Sequence, residues 1–129
     1  MRFVIKQKYR GDKIFPDLND LLHEACRNPK AYAKMKRECE YIVQDAVRVQ
    51  LGAWKPQGKC RLDIIYCEPN RGQRRDYDNI VGATRKIVCD ALQKCGVIKN
   101  DNPDYLLYGS NEFTYGDEPY ISVDIVECL

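Results

Sequence analysis

Hydrophobic and polar positions divide the chain into a few segments. Phe3 to Ile5 are apolar and a polar run follows, which predicts a first strand over "MRFVIKQKY". Residues 10–28 are mixed, hold Gly11 and Pro16, and read as a long loop of the kind that borders a site. From about Pro29 to Leu51, apolar residues fall at Tyr32, Met35, Cys39, Ile42, Ala46 and Val49. Those alternating steps of three and four predict one helix with a single apolar seam, ended by Gly52. In "KCRLDIIYCE", residues 59–68, Cys60, Leu62, Ile64 and Tyr66 alternate with Lys59, Arg61 and Asp63, which predicts a strand that Pro69 stops. The second helix has the clearest pattern: Ile80, Ala83, Thr84, Ile87, Val88, Ala91, Leu92 and Cys95 make one continuous face. Asp78 stands where an N-cap would, Gly96 where the residue after the C-cap would, and Gly82, Lys86, Asp90 and Gln93 fall on the opposite face. Beyond the turn-rich "GVIKNDNPD", the stretches "YLLY" and "EFTY" read as two short strands and "YISVDIVE" as a longer one. The order β-α-β-α-β(β)β predicts an α+β fold, a two-layer domain with two helices on one face of a mixed sheet, as a single domain over residues 1–129.

Composition narrows the class. At 44% hydrophobic and 31% charged residues, the chain should fold. No apolar run approaches the roughly 20 residues of a membrane span, and the apolar start is too short for a signal peptide, so a cytoplasmic protein without membrane contact is expected. Seven cysteines, an odd number with no C-x-x-C pair, together with a single histidine, His23, argue against a disulfide framework or a zinc ribbon. They read as small buried hydrophobes in a reducing compartment. The net charge of +2 hides an asymmetry: all 21 Lys and Arg lie within residues 1–101, while residues 102–129 hold six acids and no base. A basic body favours a polyanion such as nucleic acid; the alternative is a solvated surface with uneven charge.

The stretch that changes the picture is "RGQRRDYDNI", residues 71–80. Asp76 and Asp78 share one side of an extended or turning backbone, and paired carboxylates suit a hard cation, Mg²⁺, Mn²⁺ or Ca²⁺, over zinc. Asp101 is a third candidate ligand. A helix of about 17 residues is about 25 Å long, so Asp101 meets the pair only if the chain after Gly96 doubles back. Lys86 would then stabilise charge on a phosphate, and Arg71, Arg74 and Arg75 would grip neighbouring phosphates. The plain reading of the same residues is a helix cap at Asp78, an Arg-paired Asp76, a turn residue at Asp101 and a solvated Lys86 able to pair with Asp90. No Ser/His motif, P-loop or dinucleotide fingerprint is present, so no nucleotide cofactor is expected.

Taken together, Arg75-Asp76-Tyr77-Asp78-Asn79, then Lys86, Asp90-Ala91-Leu92, Gly96 and Asn100-Asp101 resemble the pattern of the RusA family of Holliday-junction resolvases, bacterial and prophage endonucleases. The resemblance covers about 30 residues, and the surrounding element order agrees with it. It implies a homodimeric, Mg²⁺-dependent endodeoxyribonuclease that resolves four-way DNA junctions by paired nicks. On that resemblance Asp76, Asp78 and Asp101 are the essential acids and metal ligands, Lys86 is the essential lysine, and the chain folds back to bring Asp101 in. Four residues more than in the commoner pattern precede Lys86, which moves it about 6 Å along the helix and about 40° around it. Gly82 takes the lysine's place in the shorter pattern, and Arg85, itself a candidate DNA contact, is the alternative cation. A non-cleaving branched-DNA-binding module of the same fold is the second reading.

Overall fold

The computed structural model describes residues 1–128. Its elements are β1 (Arg2–Ile5), α1 (Leu18–Arg27), α2 (Pro29–Leu51), β2 (Cys60–Pro69), α3 (Tyr77–Lys94), β3 (Leu106–Gly116) and β4 (Tyr120–Glu127). The sheet order is β1-β4-β2-β3; β4 is antiparallel to both its neighbours and β3 is parallel to β2. A parallel pair needs a crossover, and α3 supplies it. The α+β class and the mixed sheet are as the pattern predicts, with three helices among the described residues rather than two.

Alternation within the strands decides which face is covered. Phe3, Ile5, Leu62, Ile64, Tyr66, Val123 and Ile125 are buried in one core with Cys39, Val43 and Val47 of α2 and Ile87, Val88 and Leu92 of α3. Arg61, Asp63, Asp124 and Val126, at alternate positions, stay open to solvent in whole or part.

Three expectations are corrected. Residues 10–28 are not one long loop, because α1 occupies Leu18–Arg27. A capping box starts it: Asp17 Oδ1 accepts from the Asp20 N–H at 2.9 Å, and Asp20 Oδ2 from the Asp17 N–H at 3.0 Å. Leu21 is the buried residue of α1, and the Leu18, Leu21, Leu22 spacing behind the Asp17 cap is a local helix signal in the sequence. In α2, Val49 is 71% exposed, and the buried face runs instead through Cys39, Val43, Val47 and Leu51. A strict three-four repeat advances by 3.5 residues per turn, so it drifts off the face of a 3.6-residue helix. Finally, "YLLY" and "EFTY" are one strand, β3.

What joins them is a bulge. The β2–β3 register shifts between Leu62↔Tyr108 and Ile64↔Asn111. At Gly109 a Cβ would lie 2.1 Å from the Leu62 carbonyl oxygen, so only glycine fits. Asp63 Oδ1 accepts the freed Ser110 N–H at 2.9 Å, and that bond chiefly holds the Asp63 carboxyl below its ordinary range.

The end of α3 sets the later path of the chain. Gly96 has φ +75°; its N–H donates to the Gln93 carbonyl at 3.0 Å and that of Val97 to the Leu92 carbonyl at 2.9 Å. This Schellman turn reverses the backbone and buries Val97 and Ile98.

All seven cysteines are free thiols. Burial pushes Cys39 up to about 12 and Cys89 up to about 11, and raises Cys60, Cys67 and Cys95. Cys26 is exposed. The thiolate is the nucleophile, so iodoacetamide at pH 8 should modify Cys26 first and leave these five intact until the protein is unfolded. Peptide mass mapping against time reads this; early labelling of Cys39 or Cys89 would contradict the packing.

Candidate functional site

The loop between β2 and α3 is clamped from inside. Glu68, at the end of β2, is buried and takes two bonds from Arg75, Nε at 2.7 Å and Nη2 at 2.8 Å. Arg75 Nη1 also donates to the Phe15 carbonyl at 2.9 Å, tying the loop to the segment before α1. A buried carboxylate requires such a partner. Arg75, expected as a DNA contact, is therefore turned inward, with only 10% of its side chain exposed. Nothing in the local pattern marked Glu68, because the partnership exists only once the loop has closed.

That clamp delivers Asp76 and Asp78 to the first turn of α3. The N-cap is Asp76, not Asp78, and its side chain makes no capping bond. Asp78 lies inside the first turn. Both are exposed, and among the described residues neither side chain has an ion-pair or hydrogen-bond partner. They share one open concavity with Arg74, Asn79, Tyr77 and Tyr115. The positive end of the α3 dipole favours both charges. Arg71 is exposed in the same loop, and the Arg74 guanidinium lies over the Tyr115 ring at 3.9 Å.

Asp101 and Lys86 are found one compartment further along. Both line a groove with Gly82, Cys89, Leu106 and Tyr108, between α3 and the β3 edge. The chain does double back after Gly96, far enough for the Asp101 charge to act on the Cys89 thiol. It does not reach the Asp76/Asp78 concavity: among the described residues no three acids, histidines or cysteines gather in a metal-holding group. At Gly82, one of the residues lining this groove, an added Cβ would lie 2.6 Å from Leu18 Cδ1 of α1.

Lys86 belongs to a charge chain across α2 and α3. Its Nζ is 3.4 Å from Asp90 Oδ2, which also accepts from Lys36. Lys36 in turn bonds Glu40 at 2.8 Å, and Glu40, 1% exposed, also accepts from Lys94. Burial works to lower the Lys36 ammonium, but its bonds to Asp90 and Glu40 outweigh that and raise it.

Arg85 is held against β2 and β3. It is 8% exposed. Its Nη2 donates to the Leu62 and Ser110 carbonyls at 2.9 Å each and its Nε to Asn111 Oδ1 at 2.8 Å, while Tyr108 lies under the guanidinium at 4.3 Å. It satisfies the carbonyls that the bulge leaves out of the ladder. These donations commit its Nε and Nη2 to β2 and β3, while the residue also lines the groove of Lys86 and Asp101.

Aromatic residues around the carboxylates carried no role in the sequence reading. Tyr66 stacks on Phe113 with centroids 4.7 Å apart, and Phe113 meets Tyr77 at 4.3 Å. The Tyr77 and Tyr115 phenols lie against each other, which raises the Tyr115 hydroxyl. Tyr77 sits between two candidate ligands, but its packing depends on β3, more than thirty positions away.

The carboxylates that could hold a cation in this concavity are Asp76 and Asp78. Mg²⁺ commonly keeps several waters and takes only one or two protein carboxylates, which the Asp76/Asp78 pair supplies. No described helix is long and apolar enough to cross a membrane. No protein-family model matches the chain, and no curated protein matches its sequence.

Proposed function

We propose that the chain is a RusA-like, Mg²⁺-dependent endodeoxyribonuclease that resolves four-way DNA junctions by paired phosphodiester nicks, with Mn²⁺ as the second-best metal. The observation that carries this reading is the R-D-Y-D-N stretch at the start of α3, with both carboxylates exposed and partnerless among the described residues beside Arg74. Asp76 and Asp78 would hold the cation. When bound, it would supply charge stabilisation at a phosphate oxygen and an activated water. Arg71 and Arg74 would grip the DNA backbone on the side of the metal pair, and Arg75 would keep the loop in place. Lys86 and Asp101, in the adjoining groove, would serve the next phosphate along. Two nicks in a symmetric junction call for two such sites, hence a homodimer with a two-fold axis. A cytoplasmic, prophage or bacterial setting goes with this reading.

A specific observation favours the second reading, a binding module that cuts nothing: Asp101 and Lys86 stand apart from Asp76 and Asp78, and Lys86 is paired with Asp90. One experiment separates the two. The protein is incubated with a synthetic mobile four-way junction, with Mg²⁺ and with chelator. Paired symmetric nicks in Mg²⁺ alone are expected. Salt-sensitive binding without nicks would leave the module, and nicking that survives chelation would remove the metal mechanism.

A further inference from the structure

The rings beside the carboxylates form a column that runs from core to surface. Tyr66 is buried, and its hydroxyl donates to Asn111 Oδ1 at 2.6 Å. Phe113 lies on it with planes 12° apart, and Tyr77 covers Phe113 in turn at 33°. Among the described residues no fourth ring stacks on the column, and Tyr115 meets Tyr77 only at its phenol end. Although one side of Tyr77 packs on Phe113, the residue remains 55% exposed. It lines the same concavity as Asp76, Asp78 and Arg74.

An open aromatic face next to a phosphate-seeking arginine and a carboxylate pair suits one class of ligand, a nucleotide. Any base can stack on such a face, but only after it has left its own stack. Bases inside an intact duplex have no free face, so a fully paired helix would offer this concavity only its backbone. A branch point is where unstacked bases and exposed phosphates occur together.

We infer that Tyr77 is a stacking platform for an unpaired nucleobase, placed beside the phosphate that Arg74 and the Asp76/Asp78 pair engage, and that it selects strands carrying an unpaired nucleotide. This inference rests on the reading of the chain as a protein of branched DNA. It adds the local substrate class: the nucleotide at the site is one whose base has come out of the helix.

The test is equilibrium binding by fluorescence anisotropy, with Ca²⁺ in place of Mg²⁺ so that the probe is not consumed. Two labelled four-way junctions are compared, one fully paired and one with a single unpaired thymidine at the crossover. The native protein should prefer the second by about tenfold, the size of one base–aromatic stack. Tyr77→Ala should bind both with equal affinity, at the native value for the paired junction. Tyr77→Phe should keep the preference, since only the ring is needed. Thermal melting of each variant shows whether Phe113 still packs without its cover. A tenfold preference that persists in Tyr77→Ala, or that the native protein lacks, overturns the platform and leaves the nuclease reading standing. Failure of the native protein to bind either junction overturns both.

Discussion

Asp78→Asn should reduce nicking of a four-way junction by about a thousandfold while leaving the fold and junction binding in place. The replacement is nearly isosteric but removes one of the two charges available to a hard cation at the start of α3. Metal stabilisation of a phosphoryl transition state is worth several kcal/mol, and each 1.4 kcal/mol is tenfold, so losing most of it removes about three orders of magnitude. The side chain is exposed and has no partner among the described residues, so no internal bond is broken. DNA affinity should hold or rise slightly, because a negative charge beside Arg74 is removed. Single-turnover cleavage in Mg²⁺ with enzyme in excess reads the rate, and anisotropy reads the binding. A variant that nicks at the native rate would show that the pair does not hold the metal.

Arg85→Ala should lower the stability of the protein by about 3 kcal/mol and its melting temperature by about 10 °C. The substitution leaves the Leu62 and Ser110 carbonyls without this donor at the bulge, while Asn111 Oδ1 keeps the Tyr66 hydroxyl. Each buried acceptor left unsatisfied costs about 1–3 kcal/mol, and water entering from the adjoining groove relieves part of the sum. Against a total stability of about 5–15 kcal/mol the loss is large. Arg85→Lys should recover little of it, because one ammonium cannot reproduce a planar fork that reaches three acceptors. Differential scanning calorimetry measures the loss. An unchanged melting temperature with weakened DNA binding would return Arg85 to the surface role that its position in the motif suggested.

The contrast between Arg74 and Arg75 shows where sequence reading runs out. Both stand in one basic run ahead of Asp76, and their chemistry is identical. One lies over Tyr115 at the rim of the concavity; the other is locked to Glu68 and the Phe15 carbonyl. Arg85 and Lys86 divide in the same way, one facing the sheet and one the solvent, because adjacent helix positions differ by about 100°. The periodicity placed the flanks of that boundary correctly, but the demand for a buried guanidinium comes from the bulge at Gly109, a feature of strand pairing.

The amino-acid pattern by itself determined what depends on neighbours within a few residues. The extent of α2, the buried faces of β2 and α3, the stop of α3 at Gly96 and the exposed acidic start of α3 all follow from local period, caps and turn chemistry. Tertiary structure alone decided what depends on distant partners. It merged two short strands through a glycine bulge. It turned Arg75 and Arg85 inward, divided the four candidate catalytic residues between two compartments, and set Tyr77 on Phe113 beside the acids. Local patterns encode which side of an element is apolar; which polar groups are left needing a partner is known only when the elements have packed, because burial creates that need.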